Sequence, residues 1–475
     1  MAIALDADAL ANVGLPRQQL DHFLSLELTF PSARVASPGG LRADSHALSR
    51  YVQVGQALID RLAPRAARSA AEQAAVDTLI QHLRAARLRF LRAYAAVLYA
   101  ELTDDRRAFV RVEDLVFLAA EQVPGLVPTR AQIQGERALP QKDKDGFEVD
   151  QGVFLSQVLS DEVSGAHLVH AMLRPRPESL ELLPDFLKRG RLDLGTTTVE
   201  RQASVGYLYH GNPRVLNAED DSTTSTLEIG TDLILLDPHI EVGVLRGKVV
   251  DHPKYAGRRI FNAGINLTHL YYGQISFVDF FIARDMGYLH KMYRGLSGAE
   301  FWPHEVENSE QEKPWIAAVE GFAIGGGCQL LLAMDHVLAE QSSFFNLPAR
   351  KEGIVPGVSN MRLWRFVGDR AARQAILFER QFAADSPAGQ LICDTVVPDG
   401  GMDAALGQTI AALTSSGVVS AAGNRKAMRI GQESIDLFRQ YMALYCREQA
   451  YCHYSPQLIR NLEQNWNAHQ RRVDR

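Results

Sequence analysis

The chain has 475 residues, of which 46% are hydrophobic and 22% charged, with a net charge of −6. That length suffices for two or three domains of ordinary globular composition. The acidic balance argues against a general nucleic-acid binder, whose footprint is basic. Four cysteines, Cys328, Cys393, Cys446 and Cys452, form no Cys-x-x-Cys pair, so neither a disulfide framework nor a zinc site is expected. The first residues, Met1-Ala-Ile-Ala-Leu-Asp-Ala-Asp8, lack the basic flank and apolar core of a secretory signal. No apolar run approaches the roughly 20 residues of a membrane span. A cytoplasmic protein with reduced thiols and no membrane or nucleic-acid partner is expected.

Residues 1–197 read as helical. Val76, Leu79, Ile80, Leu83, Phe90, Leu91, Tyr94, Val97 and Leu98 recur at helical spacing, with Arg84, Arg87, Arg89 and Arg92 between them. One or two long amphipathic helices follow, their arginines on a solvated or interface face. A further helix is predicted over 110–121, stopped by Pro124-Gly125. Residues 142–150 have the acidic look of a calcium loop, but its first ligand would be Gln141 and its twelfth Gly152, so a turn and helix cap is expected instead. From Thr196 the texture changes to short β-rich runs. Residues 205–217 read as a strand entering an Asn-Pro turn, and further strands are predicted at Ile234-Leu-Leu-Asp237, 242–247, 315–320 and 336–340, with helices over 220–229, 276–293 and 329–334. Alternating elements with continuous apolar strands imply an α/β domain with a buried sheet, placed at 198–423. Residues 424–475 return to helix through Leu437, Tyr441, Leu444 and Tyr445.

Two segments carry most of the chemistry. Ile260-Phe-Asn-Ala-Gly-Ile-Asn266 and Val319-Glu-Gly-Phe-Ala-Ile-Gly-Gly-Gly-Cys-Gln329 each read as an apolar strand that ends in glycine and runs into a helix. Where two such turns meet, two backbone N–H groups can converge on one developing oxyanion. The second turn opens a helix, whose dipole favours the same negative charge. A dinucleotide or phosphate loop is the competing reading, but no G-x-G-x-x-G follows a first strand and no Gly-Lys-Ser/Thr occurs. Gly295-Leu-Ser-Gly-Ala299 falls short of a hydrolase nucleophile elbow.

Two more motifs flank these in order: Asn212-Pro-Arg-Val-Leu-Asn-Ala218 and Phe344-Phe-Asn-Leu-Pro-Ala-Arg-Lys-Glu-Gly-Ile-Val-Pro-Gly357. Together the four resemble the crotonase (enoyl-CoA hydratase/isomerase) superfamily over about half the chain. The resemblance implies a crotonase-like ββα spiral, with the all-helical N-terminal domain and the C-terminal helical extension added to it. It implies an acyl-CoA thioester whose oxygen lies between the N–H groups of Ile265 and Gly326. It also implies a homo-oligomer, a trimer or hexamer. The family's hydratases place glutamates at the positions that here hold Gln329 and Ala349. An amide neither activates water nor delivers a proton, and alanine has no functional group. Hydration is therefore not expected, while an oxyanion-stabilised enolate is.

Within the family the chain is similar to its cofactor-independent dioxygenase branch, known from antibiotic biosynthesis. That likeness extends to the helical N-terminal region and to Phe281-Ile-Ala-Arg-Asp-Met-Gly287. It implies an arylacetyl-CoA substrate, with CoA part of the substrate, O2 as co-substrate, and no metal or organic cofactor. It assigns Glu219, Arg284 and Gln329 to a polar pocket, Ala349 to an oxygen pocket, and Ala263 and Gly264 to the substrate-contacting backbone. Arg214, His252, Lys254 and Tyr255 are implied CoA contacts, with Arg258 and Arg259 adding positive charge nearby. Solvated loop charges explain these basic residues as well, and Glu219 and Arg284 read equally as helix-end and helix-surface charges. Two rival functions stay open: another enolate-forming enzyme (thioesterase, decarboxylase or isomerase) with Glu219 or Glu320 as base, and a non-catalytic acyl-CoA-binding scaffold.

Overall fold

Ser69 accepts the N–H of Glu72 while Glu72 reaches back to the Ser69 N–H, and this reciprocal cap starts α1 (Ala70–Leu102). The computed structural model describes residues 6–26, 28–30, 37–307 and 309–471; residues 1–5 of the segment read above for a secretory signal lie outside them. The helix predicted over 110–121 forms at Val112–Gln122. The segment excluded as a calcium loop is a single turn leading into α2 (Glu148–Ser160). Arg84 and Arg87 are not on a solvated face. They turn onto Asp150 of α2 at 3.3 and 2.9 Å, because side-by-side packing of the two helices brings a carboxylate to arginines that spacing alone leaves unpartnered.

The remaining elements relevant to the site are β1 (Arg191–Asp193), β2 (Thr197–Gln202), β3 (Val205–His210), α3 (Asp221–Leu236), β4 (Val242–Gly247), β5 (Trp315–Val319), β6 (Phe322–Ile324), α4 (Gly326–Leu331), β7 (His336–Glu340), β8 (Phe344–Asn346), α5 (Ala349–Glu352), β9 (Phe382–Ala383), β10 (Thr395–Val397) and α6 (Ile435–His453). A seven-stranded sheet runs in the order β1-β2-β3-β4-β5-β7-β10. β1, β2 and β3 pair antiparallel; the pairs from β3 to β10 are parallel. Every residue of β4 and β5 is buried, as befits strands covered on both faces. A second sheet, β9-β8-β6, stands beside the first, with β6 and β8 parallel.

Ile234-Leu-Leu-Asp237 is not a strand. It is the last turn of α3, closed by the Asp237 N–H on the Leu233 carbonyl. Three consecutive apolar residues read alike for a buried helix end and a buried strand, because so short a run carries no helical periodicity that would tell them apart.

One apolar core runs from Leu10 to Ala468 through helical regions and sheet alike. α6 lies along α2, so the C-terminal helices close against the N-terminal ones. A buried charge cluster ties the same regions together. Lys291 Nζ lies 2.7 Å from Asp232 and 2.8 Å from Glu228 of α3, and Glu228 also takes Arg111 at 2.8 Å. Among the described residues, no helix is long and apolar enough to cross a membrane.

Candidate active site

The first glycine turn is extended but is not a regular strand; it touches its neighbours through single bridges, Asn262 with Ala323 and Ile265 with Glu219. The reason lies in Asn262. Its side-chain amide donates to Glu219 (2.6 Å) and its oxygen accepts the Gly264 N–H (2.6 Å), which bends the chain out of strand geometry. Gly264 sits at φ +84°, and a Cβ there would stand 2.9 Å from the Ile324 carbonyl, so only glycine lets the two turns approach. The second turn leaves β6 through Gly325 (φ +51°) and starts α4.

These turns consume the flanking amides. Asn266 N–H donates to the Glu219 carbonyl (2.8 Å) and Gly325 N–H to the Asn346 carbonyl (2.8 Å). Gly326 is the first residue of α4, where an N–H has no acceptor within the helix. Ile265 and Gly326 both line one cavity, whose wall also includes Glu219, Arg284, Gln329 and Ala349. The structure thus brings together, from five separate segments, six residues singled out by sequence.

Arg284 organises the polar wall. The predicted 276–293 helix is broken: a wide turn at Phe277–Ile282 passes into Ala283–Met286, and Gly287 separates this from Tyr288–Arg294. Irregular turns of this kind re-aim side chains. Here Arg284 points inward and is buried. Its Nε donates to Glu219 (2.6 Å), Nη1 to Gln329 (2.8 Å) and Asp285 (3.0 Å), and Nη2 to the Gly326 carbonyl (2.9 Å). Tyr288 adds a 2.6 Å hydrogen bond to Glu219. Burial raises the Glu219 pKa, but the Arg284 charge and the hydrogen bonds of Arg284 and Tyr288 outweigh it and hold the carboxyl below its ordinary value. Glu219 is therefore a fixed anion with both oxygens occupied, a poor proton acceptor.

The rest of the cavity lining is largely apolar. Phe280, Phe281, Ile354, Val355 and Pro356 belong to it with Ala349, the first residue of α5. The enclosed space is about 30 Å³, room for one or two water-sized molecules. Two carboxyls that sequence reasoning missed also border it, Asp285 and Glu352. Asp285 adjoins Arg284 in the chain, but only the broken helix shows that it turns the same way. Glu352 carried a visible signal: it lies three residues after Ala349, one helical turn on the same face. Asn262 and Tyr288, which fix Glu219, were also missed.

The basic candidates are not part of the cavity wall. The Asp251 N–H donates to the Pro213 carbonyl (3.0 Å), which joins the 212–216 loop carrying Arg214 to the loop carrying His252, Lys254 and Tyr255. Arg214 and Lys254 are exposed. Tyr255 and Ala263 pack with Leu216, Ile324 and Phe344 around Val250, Ile260 and Phe322. Glu320 is elsewhere: it faces Arg246, with Nε 3.1 Å from both oxygens, and is absent from the cavity wall. Among the described residues, no three His, Cys, Asp or Glu side chains are grouped to hold a metal ion.

Residues 284–443 match the enoyl-CoA hydratase/isomerase family. A (3,5-dihydroxyphenyl)acetyl-CoA 1,2-dioxygenase from Amycolatopsis orientalis is 44% identical over 423 residues, 89% of this chain and 95% of that one. The chain belongs to the crotonase (enoyl-CoA hydratase/isomerase) family. A second member, a probable enoyl-CoA hydratase from Rhizobium meliloti, is 32% identical over 214 residues, 45% of this chain and 73% of that one. A crystal structure of an enoyl-CoA hydratase from Mycobacterium avium subsp. paratuberculosis covers 57% of this chain and 98% of its own at 19% identity and a TM-score of 0.47. By its membership of that family, the parallel sheet with its small companion sheet is a crotonase-family fold, extended at both ends by helices.

Proposed function

We propose that this protein is a dioxygenase converting 3,5-dihydroxyphenylacetyl-CoA and O2 to 3,5-dihydroxyphenylglyoxylate and CoA, without metal or organic cofactor. One observation carries the reading: two turn N–H groups border a cavity whose polar wall is locked by Arg284 and whose remaining lining is largely apolar, Ala349 included. The extent of the likeness to the A. orientalis dioxygenase supports it.

The N–H groups of Ile265 and Gly326 receive the thioester oxygen. Loss of a benzylic α-proton gives an enolate that they stabilise; removing one such donor costs about 10²–10³ in rate elsewhere. O2 beside Ala349 takes an electron from the enolate and recombines at Cα as a peroxide. The peroxide attacks the thioester carbonyl, expels the CoA thiolate, and the strained ring opens to the α-keto acid with loss of the second α-proton. Glu219, Arg284 and Gln329 line the substrate pocket, and the backbone of Ala263 and Gly264 lies along the thioester. Arg214, His252, Lys254 and Tyr255 hold CoA, to which the Tyr255 ring offers a face and the cations offer charge for phosphates. We assign catalysis to 198–423, in a cytoplasmic trimer or hexamer.

The test is an oxygen electrode run on chelator-treated protein with arylacetyl-CoA, together with a thiol assay. One O2 consumed per CoA released is expected. Thiol without oxygen uptake would instead identify a thioesterase, and neither signal would identify a binding scaffold.

A further inference from the structure

We propose that Glu352 is the proton acceptor that generates the enolate. The inference rests on the reading above and supplies the group that reading lacks, since Glu219 is saturated and Glu320 lies elsewhere.

The geometry comes first. α5 is a single turn that begins at Ala349 and ends at Glu352, closed by the Gly353 N–H on the Ala349 carbonyl (2.8 Å) with Gly353 at φ +90°. A residue at i+3 stands over the same patch of surface as residue i. The carboxylate missing at Ala349 is thus restored one turn later, on the same cavity as Ile265 and Gly326. Glu352 is buried at 5% exposure. Among the described residues its side chain makes no hydrogen bond or ion pair. A buried carboxyl without partners is costly in a merely structural position, and such groups concentrate where a proton must move.

Its electrostatics agree. Burial pushes the Glu352 pKa up to about 7, with Lys351 only partly opposing it. Lys351 is turned to Glu379 at 3.3 Å. Other charged groups on the packed elements are engaged elsewhere, Arg362 with Glu433 (2.7 Å) and Glu463 with Tyr271 (2.7 Å). The same cavity is lined by Tyr445, the Glu219–Arg284 pair and Asp285. Asp285 is the competing base: its Oδ1 accepts from Arg284, which keeps a fixed cation on the carboxyl, while its Oδ2 has no hydrogen-bond partner, so the Glu352→Gln variant decides between the two. A base with a pKa near the working pH is half ionised and still basic enough to act.

In the step, the Cα–H bond breaks and its electron pair moves into the thioester, placing charge on the oxygen between Ile265 and Gly326. The proton forms an O–H bond on Glu352. The CoA thiolate expelled later in the same turnover takes that proton, which returns Glu352 to carboxylate with no outside reagent.

The experiment compares wild type with Glu352→Gln and Glu352→Asp, using arylacetyl-CoA with and without α-deuterium. Oxygen uptake by Glu352→Gln is expected to fall by about 10²–10⁴, with substrate Kd within about threefold of wild type and a larger deuterium isotope effect. Glu352→Asp, which keeps a carboxylate, is expected to retain more rate than the glutamine variant. Wild-type uptake should rise through about pH 7, and the rise should be absent in Glu352→Gln. Uptake by Glu352→Gln within threefold of wild type would overturn the proposal, and so would a slowed variant whose isotope effect or Kd shows loss of binding rather than of proton transfer. A wild-type enzyme that consumes no O2 would instead sink the dioxygenase reading itself.

Discussion

The cavity has two walls built on opposite principles. On one, Glu219 is held by Arg284, Asn262 and Tyr288, and every oxygen is spoken for. On the other, the turn α5 sets apolar Ala349 beside Glu352, a carboxyl with no partner among the described residues. Both carboxyls are buried, yet partnership drives one pKa below its ordinary value and isolation drives the other up to about 7. Burial alone therefore does not decide what a carboxyl can do; its hydrogen-bond partners do. The saturated wall fixes charge and shape, while the sparse wall is free to move a proton and to admit a small apolar molecule.

The largest way to break this contrast is Arg284→Leu. It leaves Glu219 and Asp285 buried without their cation, and a loss of about 3–5 kcal/mol in urea unfolding is expected. A loss below about 1 kcal/mol would show that the wall is not saturated as described.

Glu352→Gln probes the sparse wall in the opposite direction. The folded pKa is raised from 4.5 to about 7, so the native protein holds this proton more tightly than the unfolded chain. That contribution is complete below about pH 4.5 and is lost as pH rises through 7. At pH 8 the variant should be more stable than wild type by about 3 kcal/mol, with the difference closing toward pH 4.5. A difference constant with pH would remove the isolated carboxyl from the account.

Tyr288→Phe removes one hydrogen bond from Glu219 and should cost about 1–3 kcal/mol, read by thermal unfolding. Ala349→Leu crowds the apolar wall. It should slow oxygen uptake while leaving substrate Kd nearly unchanged, and overpacking should cost about 1–3 kcal/mol at most. Equal loss of binding would mean that Ala349 faces the substrate rather than the space for O2.

The legibility of this site in the sequence followed the same division. The glycine turns were readable because backbone demands are local: Gly264 and Gly325 sit at positive φ, and Gly326 opens a helix wherever the rest of the chain goes. The long helix of residues 70–102 and strands 242–247 and 315–319 were readable from periodicity and continuous burial. Arg284 was not. Its two readings, surface charge or pocket residue, differ only in which way a broken helix turns. For Arg84 and Arg87 the sequence left a solvated and an interface face open, and only the packed helix that carries Asp150 decided for the interface. Ile234-Leu-Leu-Asp237 misled because three apolar residues in a row are too short a run to show the period that separates helix from strand.

By itself, then, the sequence determined the backbone features of the candidate oxyanion site, the lack of carboxylates at 329 and 349, and the layered α/β class between helical ends. Those follow from residue type and short-range spacing. Only the tertiary structure decided which carboxyl is paired and which is alone. A pKa is set by groups brought together across 65 residues, as Arg284 is to Glu219, and by the water that packing excludes, neither of which is written in any one stretch of chain.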